Sequence, residues 1–295
     1  MPVANPPFPF NGFWSIDTSA MANVSAAVRA WRPSVADMKA AAGTIEARDR
    51  GFDDIMSIAG GVAVINVLGP IEKRETLLGY WFGFASSVRV RKALAAAVGD
   101  EDVRQIVLRF DSPGGTVDGL SDLGDAVFKA RDSKPITAQV DGLAASAAYY
   151  VAAQASTIVA GRTDLVGSIG TKLVLWDMSA AFDDAGIKVV AIDTGEFKSA
   201  GEPGTEITDE QIADFRRLVD AFFADFVEAV ARGRGMEKSA VRAVADGRVF
   251  TGPEARKLGL VDRVGSFDET IARAGGGSRP RRARAAASLV GVVGG

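Results

Sequence analysis

Runs of consecutive apolar residues alternate with amphipathic stretches through the middle of the chain. The apolar runs predict strands, and the stretches between them predict helices. The predicted strands are residues 62–67, 105–110, 136–140, 157–160 and 187–192, and the predicted helices are residues 86–98, 117–130 and 178–185. Strands that are apolar on both faces and separated by helices are typical of a mostly parallel sheet covered on both sides. The pattern therefore predicts an α/β fold.

A longer amphipathic stretch follows at residues 209–232 and predicts a helix. Thr208 with Gln211 matches the capping box that begins many helices. One face carries large apolar residues at helical spacing, namely Phe215, Leu218, Phe222 and Phe226. Such a stripe is explained by core packing or by a subunit interface.

Changes in composition divide the chain into three parts. Residues 1–60 form an irregular N-terminal arm with one helical stretch, residues 20–42, interrupted at Pro33. The arm is rich in aromatic residues, so we expect it to pack on the body or on a neighbouring subunit. Residues 61–274 form one domain. Residues 275–295 begin with three glycines and continue as an Arg-rich tail, which we expect to be flexible.

One uncharged run, residues 142–161, is long enough to imitate a membrane span. It is rich in Ala and Ser and ends in a strand-like segment, so it predicts a buried helix followed by a buried strand. A secretory signal begins with basic residues followed by a continuous apolar core, and residues 1–7 have neither feature. We therefore expect no membrane span and a cytoplasmic location.

Composition narrows the chemistry. Among 295 residues, 47% are hydrophobic and 24% charged, which is typical of a soluble globular protein. The net charge of −3 gives no reason to expect nucleic-acid binding. The chain has no histidine and no cysteine, which excludes a Ser-His-Asp triad, a thiolate nucleophile and a His- or Cys-ligated zinc site. We expect no metal and no cofactor, and an activated serine would need a lysine as its base.

Ser146 is the candidate nucleophile. The predicted strand 136–140 leads into residues 141–150, where Ser146 stands among Gly and Ala residues at the start of a helix-favouring run. The first N–H groups of a helix have no acceptor within it and favour negative charge. Small neighbours also let a peptide backbone approach closely. The alternative is that Ser146 is an ordinary small residue in a packed helix.

Three other places complete a candidate site. The turn at residues 111–115 contains Gly114 and Gly115, whose backbone freedom would let N–H groups converge as an oxyanion hole; the alternative is a simple turn. Lys198 is a candidate base, although a lysine has an ordinary pKa of about 10.4 and would have to be buried to act as one. Its alternative is a solvated surface lysine. Ser168 could orient the amine, or be a turn serine.

Together these segments resemble a known family. Residues 111–115, 142–150 and 167–170, then Lys198 and residues 252–262, recur in this order in the signal-peptide-peptidase-A family of Ser/Lys proteases. The chain resembles in particular the family's soluble tailed-phage branch, the head-maturation or capsid-assembly proteases. The resemblance covers about residues 60–272 and implies a Clp protease and crotonase fold, so that residues 61–274 would be a Ser/Lys protease domain.

The resemblance also implies roles. Ser146 would be the nucleophile, Lys198 the general base and Ser168 the residue that positions the lysine amine. The N–H groups of Gly114 and Gly115, with that of Ala147, would form the oxyanion hole. Both catalytic residues would come from one chain, because it carries one protease unit. Implied partners are a protein or peptide substrate, further copies of the chain, and capsid, portal or scaffold proteins, in the host cytoplasm or the procapsid.

Other functions stay open at this point. A housekeeping cytoplasmic peptidase that degrades signal peptides or other peptides is one alternative. A crotonase-type acyl-CoA enzyme and a non-catalytic capsid scaffold are two more. An aspartic protease is disfavoured, because residues 193–195 supply only one Asp-Thr-Gly triplet. A penicillin-binding-type enzyme is excluded, because no serine has a lysine three residues later. Small residues around Ser146 predict a shallow primary pocket for small or aliphatic side chains, and the tail offers sites for self-trimming.

Overall fold

A mostly parallel eight-stranded sheet forms the centre of the molecule. The computed structural model describes residues 14–16, 31, 33–48 and 51–275. The strands are β1 (Trp14–Ile16), β2 (Met56–Ala59), β3 (Val62–Leu68), β4 (Ile71–Glu72), β5 (Ala85–Ser86), β6 (Gln105–Ser112), β7 (Gly114–Thr116), β8 (Ile136–Ala145), β9 (Thr157–Ala160), β10 (Leu165–Gly167), β11 (Val249–Thr251) and β12 (Arg263–Val264). The helices are α1 (Val35–Arg48), α2 (Leu77–Phe82), α3 (Ser87–Gly99), α4 (Leu120–Ala130), α5 (Ala147–Ala152), α6 (Ser179–Asp184), α7 (Asp209–Arg234), α8 (Lys238–Arg242), α9 (Gly252–Lys257) and α10 (Phe267–Ala274).

The central sheet has the order β11-β10-β8-β6-β3-β2, with β9 beside the first part of β8 and β12 beside β9. In this sheet β3, β6, β8 and β10 pair in parallel with one another in that order. The edge strands β2 and β11 pair antiparallel with β3 and β10. Strands buried on both faces need crossover helices to connect them in parallel, which the intervening helices provide. The predicted α/β fold, a mostly parallel sheet covered by helices, is confirmed.

A second, smaller sheet lies at the carboxyl end of β6 and has the order β1-β7-β4-β5. In it, β7 pairs in parallel with β4 through Gly115 and Ile71, and antiparallel with β1 on its other edge. A Cβ atom at Gly115 would lie 1.9 Å from the carbonyl oxygen of Ile71. Only glycine therefore fits at this position without a backbone shift. This small sheet was not predicted.

Helix α5 runs through the middle of the core, and all six of its residues are buried. Its two tyrosines keep partners inside the protein: the Tyr149 hydroxyl donates to the Leu260 carbonyl oxygen at 2.9 Å, and the Tyr150 hydroxyl donates to Asp225 Oδ2 at 3.0 Å. Burial raises the pKa of both hydroxyls, so they remain neutral donors. The ring of Phe226, on α7, packs edge-on against Tyr150 with centroids 5.3 Å apart. The helix that follows Ser146 is therefore fixed at several points.

Most predicted elements are confirmed, with small changes at their ends. The predicted helices 86–98, 117–130, 178–185 and 209–232 correspond to α3, α4, α6 and α7. The helical stretch predicted in the arm is found as α1, which begins after Pro33 and continues to Arg48; residues 20–30 lie outside the described residues. No helix among the described residues combines the length and the apolar character needed to cross a membrane.

One predicted strand is wrong. Residues 187–192 form no strand, and Ile187, Val190 and Ile192 are exposed. No strand among the described residues lies beside this apolar run, and a run without a pairing partner does not form part of a sheet. The apolar stripe of α7 is also only partly covered. Phe226 is buried, whereas the other members of the stripe, Phe215, Leu218 and Phe222, are half-buried.

Candidate functional site

Ser146 is the single residue between β8 and α5, as the sequence predicts. The strand continues through Asp141 and Gly142 to Ala145, and the helix begins at Ala147. The backbone of Ser146 has φ 55° and ψ −122°, a conformation that L-residues other than glycine rarely adopt. Such strain persists only where the surroundings enforce it, and it is concentrated at functional sites. A serine on a strained strand-to-helix turn is the geometry known as a nucleophile elbow.

The neighbouring strand holds this turn in place. The Ser146 N–H donates to the Gly167 carbonyl oxygen at 2.7 Å, and Ala145 pairs with Gly167 at the end of β10. Ser168 comes next, with φ 50° and its own N–H donating to the Arg248 carbonyl oxygen at 2.8 Å. Within the described part of the chain, Ser146 and Ser168 are the two non-glycine residues with positive φ. The structure therefore brings these two predicted site residues to adjacent, strained positions.

The glycine turn lies on the other side of Ser146. The parallel strands β6 and β8 stay paired up to Ser112 and Ala144, and the residues two positions further along are Gly114 and Ser146. Helix α5 also packs against β7. The Gly114 N–H donates to Ser112 Oγ at 3.3 Å, so a substrate oxygen would compete with that hydroxyl for this donor. The predicted oxyanion residues are thus close to the predicted nucleophile.

Ala147 is the first residue of α5 and is fully buried. N–H groups in the first turn of a helix have no carbonyl acceptor within that helix. In a nucleophile elbow, the N–H of the residue after the nucleophile is one of the oxyanion donors. Ser146 itself is only 2% exposed, and its alanine neighbours have no accessible surface. The environment is therefore apolar, which strengthens any hydrogen bond to a developing negative charge.

Contacts made by two aspartates, which were not predicted from the sequence, hold the last part of β8 in place. Arg109 Nε donates to Asp141 Oδ2 at 2.7 Å, joining β6 to β8. Partial burial and the neighbouring Asp141 carboxylate raise the pKa of Asp111, which accepts a hydrogen bond from the Leu143 N–H. A Cβ at Gly142, with φ 116°, would lie 2.8 Å from Asp111 Oδ1, so glycine is required there. These contacts position the chain three residues before Ser146.

Lys198 is placed differently from the other predicted residues. It lies in a turn in which its N–H donates to the Gly195 carbonyl oxygen at 2.9 Å, and its side chain is exposed. No hydrogen bond joins it to Ser146 or Ser168, and its amine forms no ion pair with a described residue. In the single chain as described, the predicted base is therefore exposed and is not hydrogen-bonded to the predicted nucleophile.

Lys198 belongs to a segment, residues 171–208, that we call the lysine segment. Several of its side-chain hydrogen bonds join its own members, such as Ser199 to Asp193 and the Ile207 N–H to Asp177. Several of its large apolar side chains are exposed, including Trp176 at 60% and Ile192 at 95%. Isolated exposed apolar residues are ordinary, but several on one segment indicate an interaction surface.

The described residues contain no group of three His, Cys, Asp or Glu side chains arranged to hold a metal ion. What the geometry offers instead is a strained serine hydroxyl, backbone donors and an apolar surround.

Comparison with known proteins supplies the family. Residues 129–278 match the profile of Peptidase family S49, a range that contains Ser146, Ser168 and Lys198. A protein of Methanocaldococcus jannaschii whose name assigns it as a protease is 34% identical over 58% of this chain and 55% of its own. Protease 4 of Salmonella typhi is 30% identical over 73% of this chain and 34% of its own.

Capsid assembly protease C of Escherichia phage lambda is 29% identical over 72% of this chain and 48% of its own. The chain thus spans between about a third and about half of the length of these three relatives. The match to the family profile covers half of the chain. The chain therefore belongs to peptidase family S49.

Proposed function

We propose that the protein is a serine endopeptidase whose nucleophile is Ser146 and whose general base is Lys198. The observation that carries the proposal is the backbone of Ser146, with φ 55° and ψ −122° at the junction of β8 and α5. Packing does not require a serine at this position, because glycine would adopt the same backbone conformation with less strain. A serine kept at such a position is best explained by its hydroxyl.

The reaction follows from these groups. Ser146 Oγ attacks the carbonyl carbon of the scissile peptide bond, and its proton passes to the neutral amine of Lys198. The carbonyl oxygen becomes negative and is stabilised by backbone N–H groups of the Gly114–Gly115 turn and Ala147. The C–N bond then breaks, the leaving amine takes the proton from Lys198, and an acyl-enzyme forms. Water, deprotonated by Lys198, hydrolyses the acyl-enzyme and frees Ser146.

This mechanism requires a change around Lys198. A lysine acts as a base only as the neutral amine, which burial favours over the ammonium. In the single chain Lys198 is exposed, on a segment whose apolar residues are exposed as well. We propose that copies of the chain assemble, that a neighbouring copy buries the lysine segment, and that this contact delivers the amine to a serine. Assembly would then be a condition for activity.

Ser168 fits the role of a positioning residue for that amine. Its φ of 50° and its place directly after the Ser146–Gly167 hydrogen bond set its side chain beside the nucleophile turn. We expect Ser168→Gly to lower kcat/KM about 10- to 100-fold, because one hydrogen bond to a charged group is worth about 1.5–3 kcal/mol. Glycine suits positive φ, so the melting temperature should not fall. A variant that instead melts earlier with unchanged kcat/KM would show that Ser168 is structural.

The substrate follows from the surroundings and the relatives. Ala144, Ala145 and Ala147 line the buried neighbourhood of Ser146, so the primary pocket should accept small or aliphatic side chains. The names of the phage relatives concern capsid assembly and a head-tail preconnector. We propose that the enzyme processes capsid or scaffold proteins, in the host cytoplasm or the procapsid. The alternative is a housekeeping peptidase, and portal and capsid genes beside the coding gene would favour the phage role.

A fluorophosphonate probe tests the proposal, because it reacts only with a serine that is activated as a nucleophile. We expect covalent labelling, located by mass spectrometry on the peptide that contains Ser146. Ser156→Ala, which replaces a serine ten residues further along the chain, serves as the matched control and should label normally. Labelling of another serine, or none in an assembled sample that retains its fold, would reject Ser146 as the nucleophile.

A further inference from the structure

The N-terminal arm pairs with the strand next to the candidate oxyanion turn. Strand β1 lies antiparallel to β7, with Trp14 opposite Thr116, Ser15 opposite Gly115 and Ile16 opposite Gly114. The partners are about a hundred residues apart in sequence, so the contact is not a local turn. A second contact holds the same arm: the Trp31 ring lies 6.1 Å from Trp81 and 5.9 Å from Phe82, both on α2.

The position of β7 gives this pairing its significance. One edge of β7 is occupied by β4, and Gly115 fits so closely against Ile71 that nothing else can enter there. The other edge is the one that β1 takes. Extended peptides bind proteins by adding a strand to such an open edge, with main-chain hydrogen bonds supplying the affinity. A peptide on this edge of β7 would run past Gly114, beside Ser146.

The composition of β7 suits recognition of a backbone rather than of side chains. Gly114 and Gly115 present no side chain, so a strand opposite them can approach closely whatever its sequence. In the arm, the residue paired with Gly115 is Ser15. The same edge would therefore accept either the arm or a substrate peptide, but not both at once.

We propose that residues 14–16 act as an internal competitor that occupies the peptide-binding edge of β7 and must leave before a substrate binds. This inference rests on the proposed peptidase function. A tethered segment has an effective concentration on the order of mM, so even a weak pairing can keep the edge mostly filled. If the arm occupies the edge about nine-tenths of the time, only about a tenth of the molecules are competent and the apparent KM rises about tenfold.

The test uses the full chain with Ser15→Pro and Ile16→Pro together. Successive N–H groups of a strand point to opposite edges, so replacing two consecutive residues removes a donor to β7 whichever of them supplies it. The matched control is Ser15→Thr with Ile16→Val, which keeps both N–H groups and the preference for strand. For a fluorogenic peptide with Ala at the cleavage site, we expect the proline variant to lower KM about tenfold at unchanged kcat, and the control to match wild type.

A binding measurement makes the result independent of catalysis. The probe is a fluorescein-labelled peptide of residues 10–20, titrated by anisotropy against chains that carry Ser146→Ala with and without the two prolines. We expect about tenfold tighter binding to the proline variant. If the tighter binding appears but no variant hydrolyses peptides, the proposed function fails and this inference stands. Unchanged KM and unchanged peptide binding, or a fall in kcat alone, would overturn the inference.

Discussion

Replacing Ser146 by Ala should lower kcat for peptide hydrolysis by a factor on the order of 10⁶, the scale seen when the nucleophile of a serine peptidase is removed. The alanine has no hydroxyl to form the acyl-enzyme, and neither cysteine nor histidine is present to replace it. The backbone at this position keeps φ near 55°, which alanine tolerates as poorly as serine does. The variant should therefore fold, bind peptides and fail to cleave them.

The measurement compares kcat, peptide binding and the free energy of unfolding in urea for Ser146→Ala and Ser146→Gly. Both variants should be equally inactive. The glycine variant should be about 1 kcal/mol more stable than the alanine variant, because relief of strain worth about 1–3 kcal/mol exceeds the entropy that glycine loses. Hydrolysis that survives in either variant would remove Ser146 from the mechanism. Equal stabilities would mean that the turn is not strained.

The location of Ser146 could be predicted from the sequence, but its strain could not. An apolar strand, a Gly-containing turn and an Ala-rich run place residue 146 at a strand–helix junction, and the structure has it there. Positive φ is predicted from sequence mainly at glycine and asparagine, so a serine gives no indication of it. The strain arises from contacts between distant segments, such as the Ser146 N–H with the Gly167 carbonyl oxygen.

The small sheet shows the same limit. Its strands are two or three residues long, too short for a period of two to be recognised. Gly114 and Gly115 were predicted as a turn that aims N–H groups, and they do lie near Ser146. Their pairing as β7 with Ile71 and with Ser15 depends on residues far away in sequence. Local patterns predict elements well, whereas pairings across the chain need the fold.

The strand wrongly predicted at residues 187–192 is informative about the site. A run of apolar residues indicates burial, but the sequence does not say whether the burial is within one chain or between copies. In the described structure Val190 and Ile192 are exposed. The half-buried apolar face along the first part of α7, around Phe215, adds to this uncovered surface. We therefore interpret the exposed apolar residues of the lysine segment as part of an interface between copies of the chain.

Mixing two inactive variants should restore activity if that interpretation is right. Ser146→Ala lacks the nucleophile and Lys198→Ala lacks the base, and each should be inactive when pure. In randomly mixed assemblies where each site takes its serine from one copy and its lysine from a neighbour, about a quarter of the sites are intact. We therefore expect the mixture, after dissociation and reassembly, to reach about a quarter of wild-type kcat per site.

The control mixes Lys198→Arg with Ser146→Ala. In this mixture only the Ser146→Ala chains supply Lys198. Arginine keeps the charge but cannot become a neutral base, so pure Lys198→Arg should be as inactive as Lys198→Ala, and both mixtures should recover equally. Recovery in neither mixture, from assemblies shown to contain both variants, would place serine and lysine in one chain, as the single protease unit suggests. The lysine segment would then have to fold back onto its own β8–α5 junction. Its exposed apolar residues would be buried against the chain that carries them.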